Sequence, residues 1–299
     1  MGDQRVVPDF FVIGAYRSGT TFLYQSLRQH PGVFLPAIKE PNFFAVDDNP
    51  TATPELLARS VVDRARYDAL YGGASQLQRT GDMSPEYLRN RAAPARIHRS
   101  HPDAPLVAIL RNPVERVWSD YLMHRSRGTE RCDSFAQALA EQDERVTGTD
   151  RNAPHYIAGG MYHEQLTRYF EFFGRDQTLV LLYDDLLADP SSVLRNIFEH
   201  IGVDPSFDVT IEEGVNAGGV PKNVVTASVL RMKSALAPHV SPAVADRVRP
   251  LWNKTLRRSL DKPEMADADR DALRSIYRPE VEALEALIGR DLRRWIEEG

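Results

Sequence analysis

The sequence predicts an α/β protein: a central parallel sheet flanked by helices in three layers. Short apolar runs rich in β-branched or aromatic residues occur at 9–14 (DFFVIG), 106–110 (LVAIL) and 178–183 (TLVLLY). Each is followed within a few residues by a helix-like pattern, and strand-then-helix repetition builds parallel sheets covered on both faces. The first run also passes through a glycine-containing loop directly into an amphipathic stretch.

In chain order, the helix after the first strand carries Phe22, Leu23 and Leu27 at helical spacing, and Pro31 and Gly32 stop it. After LVAILR, Asn112 fits an N-cap, Pro113 the first helical turn and Gly128 the far end. Amphipathic helices are predicted over 159–174 and 191–202, the second introduced by Asp189-Pro190, and a third over 278–296 with Leu284, Leu287 and Ile288 on one face. Polar segments marked by Pro and Gly at 45–56, 143–155 and 204–223 read as loops, the last long enough for a lid over a site. No repeat or low-complexity tract interrupts the pattern, and we expect one domain over 1–299.

With 299 residues and 42% hydrophobic content the chain can bury a substantial core. A formal net charge of -5 argues against a nucleic-acid binder held by bulk charge, so any anion site must be local. The single Cys132 excludes an internal disulfide framework, and no Cys/His spacing suits zinc. No structural metal is therefore expected, and a reducing cytoplasm fits. No signal-peptide pattern and no run of 18 apolar residues is present, so no membrane span is expected. The Arg-, Ala- and Asp-heavy composition suggests a bacterial source.

The segment from Gly14 to Thr21, GAYRSGTT, fits the phosphate-loop pattern G-x-x-x-x-G-K-[ST] except that Thr20 stands where the lysine belongs and Arg17 lies three residues earlier. A glycine loop between a buried strand and a helix N-terminus turns backbone N–H groups and the positive end of the helix dipole toward an anion. Two glycines alone could simply make a tight turn; Arg17, Ser18, Thr20 and Thr21 favour the anion. Nucleoside triphosphate chemistry uses the lysine and a magnesium ion held partly by a strand-end aspartate. Here the lysine is missing and LVAIL runs into Arg111. A sulfuryl group brings less charge than a terminal phosphoryl, and arginine with backbone donors can stabilise its transfer without a divalent ion.

At this point the sequence resembles the sulfotransferases that use 3'-phosphoadenosine 5'-phosphosulfate (PAPS), especially bacterial members and the heparan-sulfate type. GAYRSGTTFLYQSLRQHPGV is similar to their 5'-phosphosulfate loop and LVAILRNPVERVWSDYLMHRSRG to their 3'-phosphate motif. The likeness continues through KEPNFF (39–44), GDMSPEYL (81–88), 159–186 and IGRDLRRW (288–295), which spans nearly the whole chain. It implies a phosphate-loop-type fold and in-line sulfuryl transfer from PAPS to a hydroxyl of a carbohydrate or small-molecule acceptor.

The resemblance implies that Arg17 contacts the 5'-phosphosulfate and offsets charge on the leaving phosphate oxygen, with Ser18, Gly19, Thr20 and Thr21 completing the cradle. Arg111 and Ser119 match the 3'-phosphate ligands, and Lys222 in NAGGVPKN matches a basic residue of a late loop closing over the nucleotide. Glu40 falls where heparan-type enzymes carry their catalytic glutamate, ahead of Phe43 and Phe44; a carboxylate ionised at neutral pH can accept the hydroxyl proton. Those enzymes often have histidine at the position of Asn42 and lysine at that of Met83, so no heparan acceptor is carried over to this chain.

His155 and His163 lie near the acceptor side in relatives, although each also suits a structural role. Two basic groups, one from Arg89 to Arg99 and one of Arg125, Arg127 and Arg131, could meet an acidic acceptor or simply face solvent. Two rival readings are a small-molecule kinase with a degenerate phosphate loop, and a PAPS-binding module without turnover. The first needs a carboxylate-held metal that the sequence does not prepare. Glu40 beside both nucleotide motifs counts against the second.

Overall fold

A computed structural model describes residues 7–47, 52–147, 156–211, 220–221, 260–261 and 263–297. By their internal contacts the residues form two compact units. One comprises Met1–Arg116, Ile157–Glu213 and Arg274–Gly299; the other comprises Val117–Tyr156 and Gly214–Leu273.

The first unit is built on a five-stranded, all-parallel sheet: β1 (Phe10–Gly14), β2 (Val33–Phe34), β3 (Arg79–Met83), β4 (Leu106–Leu110) and β5 (Thr178–Leu182) in the order β2-β3-β1-β4-β5. The three strands expected from apolar runs are present, and β1 and β4 are buried along their whole length. Two strands were not legible. β2 is two residues long, and β3 reads Arg-Thr-Gly-Asp-Met, yet its last four residues are buried. β3 tolerates this polarity because its polar groups are paired. Thr80 bonds Asp9 through both N–H and hydroxyl at 2.6 and 2.8 Å, and Asp82 accepts from three hydroxyls.

Strand order reverses around β1, which pairs β3 on one side and β4 on the other. In open parallel sheets the crevice at such a switch point, outside the carboxyl ends of the strands, is where ligands bind. Helix α1 (Thr20–Leu27) leaves β1 there. The connection after β2 carries α2 (Phe43–Val46), α3 (Pro54–Ala58) and α4 (Arg64–Ala69); α5 (Glu86–Arg89) and α6 (Ala93–Ser100) follow β3. After β4, Asn112 accepts the Val114 N–H at 3.0 Å and opens α7 (Pro113–Arg127), with Gly128 at φ 70° beyond its end. Segment 45–56 is thus helical at both ends, and 143–155 is no loop throughout, since α8 (Phe135–Thr147) continues into it.

Helix α9 (Tyr162–Phe170) follows a single turn of 3-10 helix at Ala158–Gly160. After β5, α10 (Tyr183–Ala188) and α11 (Pro190–Ile201) run in sequence. Asp189 caps α11 by accepting the Ser192 N–H at 3.0 Å, and Val193, Leu194, Ile197, Phe198 and Ile201 form its buried face. The tail differs from expectation: α12 (Asp267–Ile288) starts earlier, accommodates Pro279 and ends at Gly289, φ 66°, followed by a 3-10 turn at Arg293–Trp295. Of the face expected there, Leu284 is buried, joined by Tyr277 and Val281, whereas Leu287 and Ile288 are half-buried.

In the second unit, Trp118, Tyr121, Phe135 and Tyr156 form an aromatic cluster. A two-residue antiparallel pair joins β6 (Val220–Pro221) to β7 (Leu260–Asp261). No helix among the described residues is long and apolar enough to cross a membrane.

Candidate active site

The glycine loop is shaped by two close approaches. A Cβ on Gly14 would lie 2.5 Å from Leu88 Cβ, so only glycine lets the end of β1 pass α5. Gly19 has φ 88° and faces Tyr183 and Leu186, each 3.0 Å from where its Cβ would stand. Arg17 also adopts the left-handed region, at φ 66°. The Ala15 N–H is held by Ile109 O at 2.8 Å, which ties the loop to β4. The first turn of α1 begins at Thr20, with Gly19 as its N-cap and no side-chain cap, leaving N–H donors that helical bonding does not use. Thr20 is buried and Thr21 exposed.

Ser18 lies within the loop with 0% exposure, and its Oγ has no hydrogen-bond partner. The hydroxyl of Tyr162, on α9, is equally buried and unpartnered. Burial pushes the Tyr162 phenol up, and the Arg116 charge, the Arg111 backbone and the nearby Ser18 hydroxyl pull it back. A buried hydroxyl left unsatisfied in an anion-shaped turn is a donor that a bound oxyanion can use.

Arg111 emerges from the end of β4 beside the same loop. Its Nη1 donates to the Arg17 carbonyl at 3.2 Å, and its guanidinium lies 5.1 Å from the Tyr183 ring centroid. Glu115, one helical turn on, is 4.0 Å from Nη2. The Arg111 side chain thus meets the Arg17 backbone. Ser119 lies on α7 and belongs to the second unit; Lys222, with Gly218 and Gly219, lies outside the described residues.

Glu40 sits on the connection between β2 and α2, held by a chain of side-chain bonds. Asn42, at φ 52°, donates from Nδ2 to the Glu40 carbonyl at 2.9 Å and from its backbone N–H to Ser84 Oγ at 3.0 Å. Ser84 in turn donates to Asp82 Oδ1 at 2.6 Å, and Tyr87 and Tyr67 donate to Asp82 Oδ2 at 2.7 and 2.8 Å. Burial raises the Asp82 carboxyl to about 6, against the pull of those three hydroxyls, with the Glu40 charge adding to the rise. Phe43 and Phe44 pack into the core beside Tyr67 and Phe11.

Among the described residues the Glu40 carboxylate has two partners: Lys39 Nζ at 2.6 Å from Oε1, and the Tyr16 hydroxyl, donating to Oε2 at 3.4 Å. Tyr16 lies in the glycine loop next to Arg17, so the candidate base reaches the candidate anion cradle through one side chain. The Tyr16 hydroxyl accepts from Arg59 Nη1. Arg59 and Arg89 both grip Glu86 Oε2 at 2.7 Å, with Arg89 Nε 2.8 Å from Oε1. Burial pushes the Glu86 carboxyl up, but Arg89 and Arg59 outweigh it and hold it below the usual range.

Tyr16, Arg59, Glu86 and Tyr183 carry no motif signal of their own in the sequence. Arg59 and Glu86 are 27 residues apart, with no spacing rule to join them. Arg89 was visible only as part of a basic run, and that run does not act as one face. Arg89 turns onto Glu86, Arg91 pairs with Glu164 at 3.1 Å and Arg96 donates to Phe44 O at 3.3 Å. In the other group, Arg125 donates to Cys132 O at 3.0 Å. The His163 backbone N–H donates to Glu280, and His155 lies outside the described residues. Among the described residues no group of His, Cys, Asp or Glu is arranged to hold a metal ion.

A parallel α/β sheet with a glycine loop at its switch point, a strand-end arginine against that loop and a carboxylate within reach of it define a candidate group-transfer site. The chain belongs to the sulfotransferase family: the profile described as "Sulfotransferase domain" matches residues 7–284. It is 29% identical over 200 residues to human heparan sulfate glucosamine 3-O-sulfotransferase 6, covering 67% of this chain and 54% of that protein. It is 24% identical over 254 residues to mouse carbohydrate sulfotransferase 15, covering 67% of this chain and 45% of that one. The chain thus spans about half the length of these curated relatives. Among solved structures it is similar to a sulfotransferase from Alicyclobacillus acidocaldarius, with 28% identity and a TM-score of 0.72 over 97% of this chain and 99% of that one.

Proposed function

We propose that the chain is a single PAPS-dependent sulfotransferase domain that moves the sulfuryl group to a hydroxyl of a carbohydrate or small-molecule acceptor, leaving adenosine 3',5'-bisphosphate. One observation carries the reading: in adjacent residues of the glycine loop, the Tyr16 hydroxyl bonds Glu40 and the Arg17 carbonyl accepts from Arg111. An anion cradle, a second arginine and a carboxylate thereby meet at one short stretch of chain.

When bound, PAPS supplies an activated sulfuryl group on a phosphate leaving group. Arg17 and the N–H groups of residues 18–21 stabilise the charge that builds on the bridging and 5'-phosphate oxygens. Ser18 contributes its otherwise unused hydroxyl. Arg111 offers its planar fork to the 3'-phosphate, stiffened by Tyr183 and the Arg17 carbonyl. Ser119 and Lys222 are assigned to the same nucleotide by the sequence motifs alone. Glu40 accepts the acceptor's hydroxyl proton as the new O–S bond forms and the bond to the 5'-phosphate breaks. With little covalent chemistry left to the protein, positioning and fixed positive dipoles carry most of the acceleration.

The absent loop lysine and the arginine in place of a strand-end aspartate favour this reading over a kinase. The test is a screen of mono- and oligosaccharides and hydroxylated small molecules with sulfur-labelled PAPS, run without divalent ions. Label should reach one class of hydroxyl acceptor. Phosphoryl transfer from magnesium ATP to the same compounds, with none from PAPS, would overturn the reading.

A further inference from the structure

Tyr16 lies in the glycine loop, has no part in the anion cradle and carries a side chain engaged by several neighbours. Two guanidiniums lie near its ring, 5.7 Å from the centroid for Arg59 and 5.2 Å for Arg89. Its hydroxyl accepts from Arg59 and donates to Glu40 Oε2 at 3.4 Å. Both arginines are anchored on Glu86, whose side chain is 7% exposed while theirs are 36% and 37% exposed. Burial, then the charges of Glu86 and Glu40, push the Tyr16 phenol well above its ordinary range, so the hydroxyl stays protonated as a donor.

We propose that Tyr16 is the positioning residue of the candidate base: its hydroxyl, fixed by Arg59 and Glu86, orients the Glu40 carboxylate and ties it to the sulfuryl-binding loop. This rests on the reading of Glu40 as base. A carboxylate has about four lone-pair sites. Lys39 on Oε1 and Tyr16 on Oε2 occupy one each and leave the others for the acceptor hydroxyl. Without the Tyr16 bond, Glu40 keeps, among the described residues, the side-chain donor Lys39, about a quarter exposed and adjacent in sequence, which does not tie the carboxylate to the sulfuryl-binding loop. Because Tyr16 precedes Arg17 directly, displacement of the loop also displaces the base. The base's alignment and the anion's placement are thus set by the same few residues.

Tyr16→Phe removes the hydroxyl and keeps the ring beside the arginines. The probe reaction is sulfate release from PAPS with water as the acceptor: water's O–S bond forms, the bond to the 5'-phosphate breaks and the water proton passes to Glu40. The expected result is a fall in kcat of roughly tenfold to hundredfold, the scale of a misplaced catalytic group. KM for PAPS and the calorimetric Kd for adenosine 3',5'-bisphosphate should stay within about twofold, a split that general damage to the fold would not give. Arg59→Gln, at a partly exposed position, should reduce kcat in the same direction by a smaller factor. Unchanged kcat in both variants while Glu40→Gln is inactive would overturn the role of Tyr16 and leave the base standing. Equal losses in kcat and bisphosphate affinity would make Tyr16 part of the anion cradle instead. Full sulfate release by Glu40→Gln, or wild-type release no faster than in buffer, would remove the base reading and the Tyr16 role with it.

Discussion

The guanidinium of Arg111 donates to the backbone carbonyl of Arg17 at 3.2 Å, joining residues 94 positions apart in the chain. This contact fixes the strand-end arginine against the glycine loop. The end of β4 and the glycine loop are thereby joined through one side chain. Arginine does this better than lysine, because its planar fork can hold the loop carbonyl with one N–H and keep others for a phosphate.

Arg111→Ala should therefore weaken adenosine 3',5'-bisphosphate. Loss of charge-assisted bonds worth roughly 1.5–3 kcal/mol corresponds to a Kd raised by roughly tenfold to hundredfold. Calorimetry reads this directly, and an unchanged Kd would remove Arg111 from the nucleotide site.

Glu40→Gln should separate chemistry from binding. The amide keeps the size of the side chain and loses its capacity to take a proton. Transfer from PAPS should fall by roughly 10²–10⁴-fold, the range for a positioned general base. Bisphosphate affinity should hold within about twofold; equal activity in the variant would take Glu40 out of the mechanism.

Gly19→Ala should damage the loop itself. The new Cβ meets Tyr183 and Leu186 at 3.0 Å in a left-handed backbone conformation at φ 88°. A destabilisation of about 1–2 kcal/mol is expected from the conformation alone. The movement of Tyr183 should also disturb Arg111, whose guanidinium it faces. Urea melts and bisphosphate titrations on the same sample check both effects; wild-type values in both would contradict the packing described.

Asp82 gives stability a pH dependence of unusual sign. Its native carboxyl is raised from 3.8 to about 6, so between those values the native state holds a proton that the unfolded chain has lost. Stability from this group is present in full below the lower value and is lost as pH climbs through the upper one. The difference in unfolding free energy between wild type and Asp82→Asn should fall over that interval and become flat above about pH 7. Urea midpoints at half-unit pH steps measure it; a difference rising with pH would contradict a raised carboxyl.

Much of the fold was legible because β1, β4 and β5 are apolar runs, and Asn112, Pro113, Asp189 and Pro190 punctuate their helices in the ordinary way. β3 was hidden because its buried residues are polar and paired with partners far along the chain, such as Tyr67 with Asp82. In the site, Arg17, Gly19, Arg111 and Glu40 were visible as motif positions. Tyr16, Arg59 and Glu86 were not, since what matters in them is mutual contact. The extension of α12 ahead of residue 278, with Pro279 inside it, escaped notice because proline ordinarily argues against a helix interior.

A pocket for an adenosine bearing anions at both ends of its ribose is checked by calorimetric titration. Wild-type protein is titrated with adenosine 3',5'-bisphosphate in the presence of a chelator, and in parallel with magnesium ATP. The bisphosphate should bind saturably and one-to-one, at least about tenfold tighter than the triphosphate and unchanged by the chelator. Binding of magnesium ATP alone, abolished by the chelator, would contradict such a pocket.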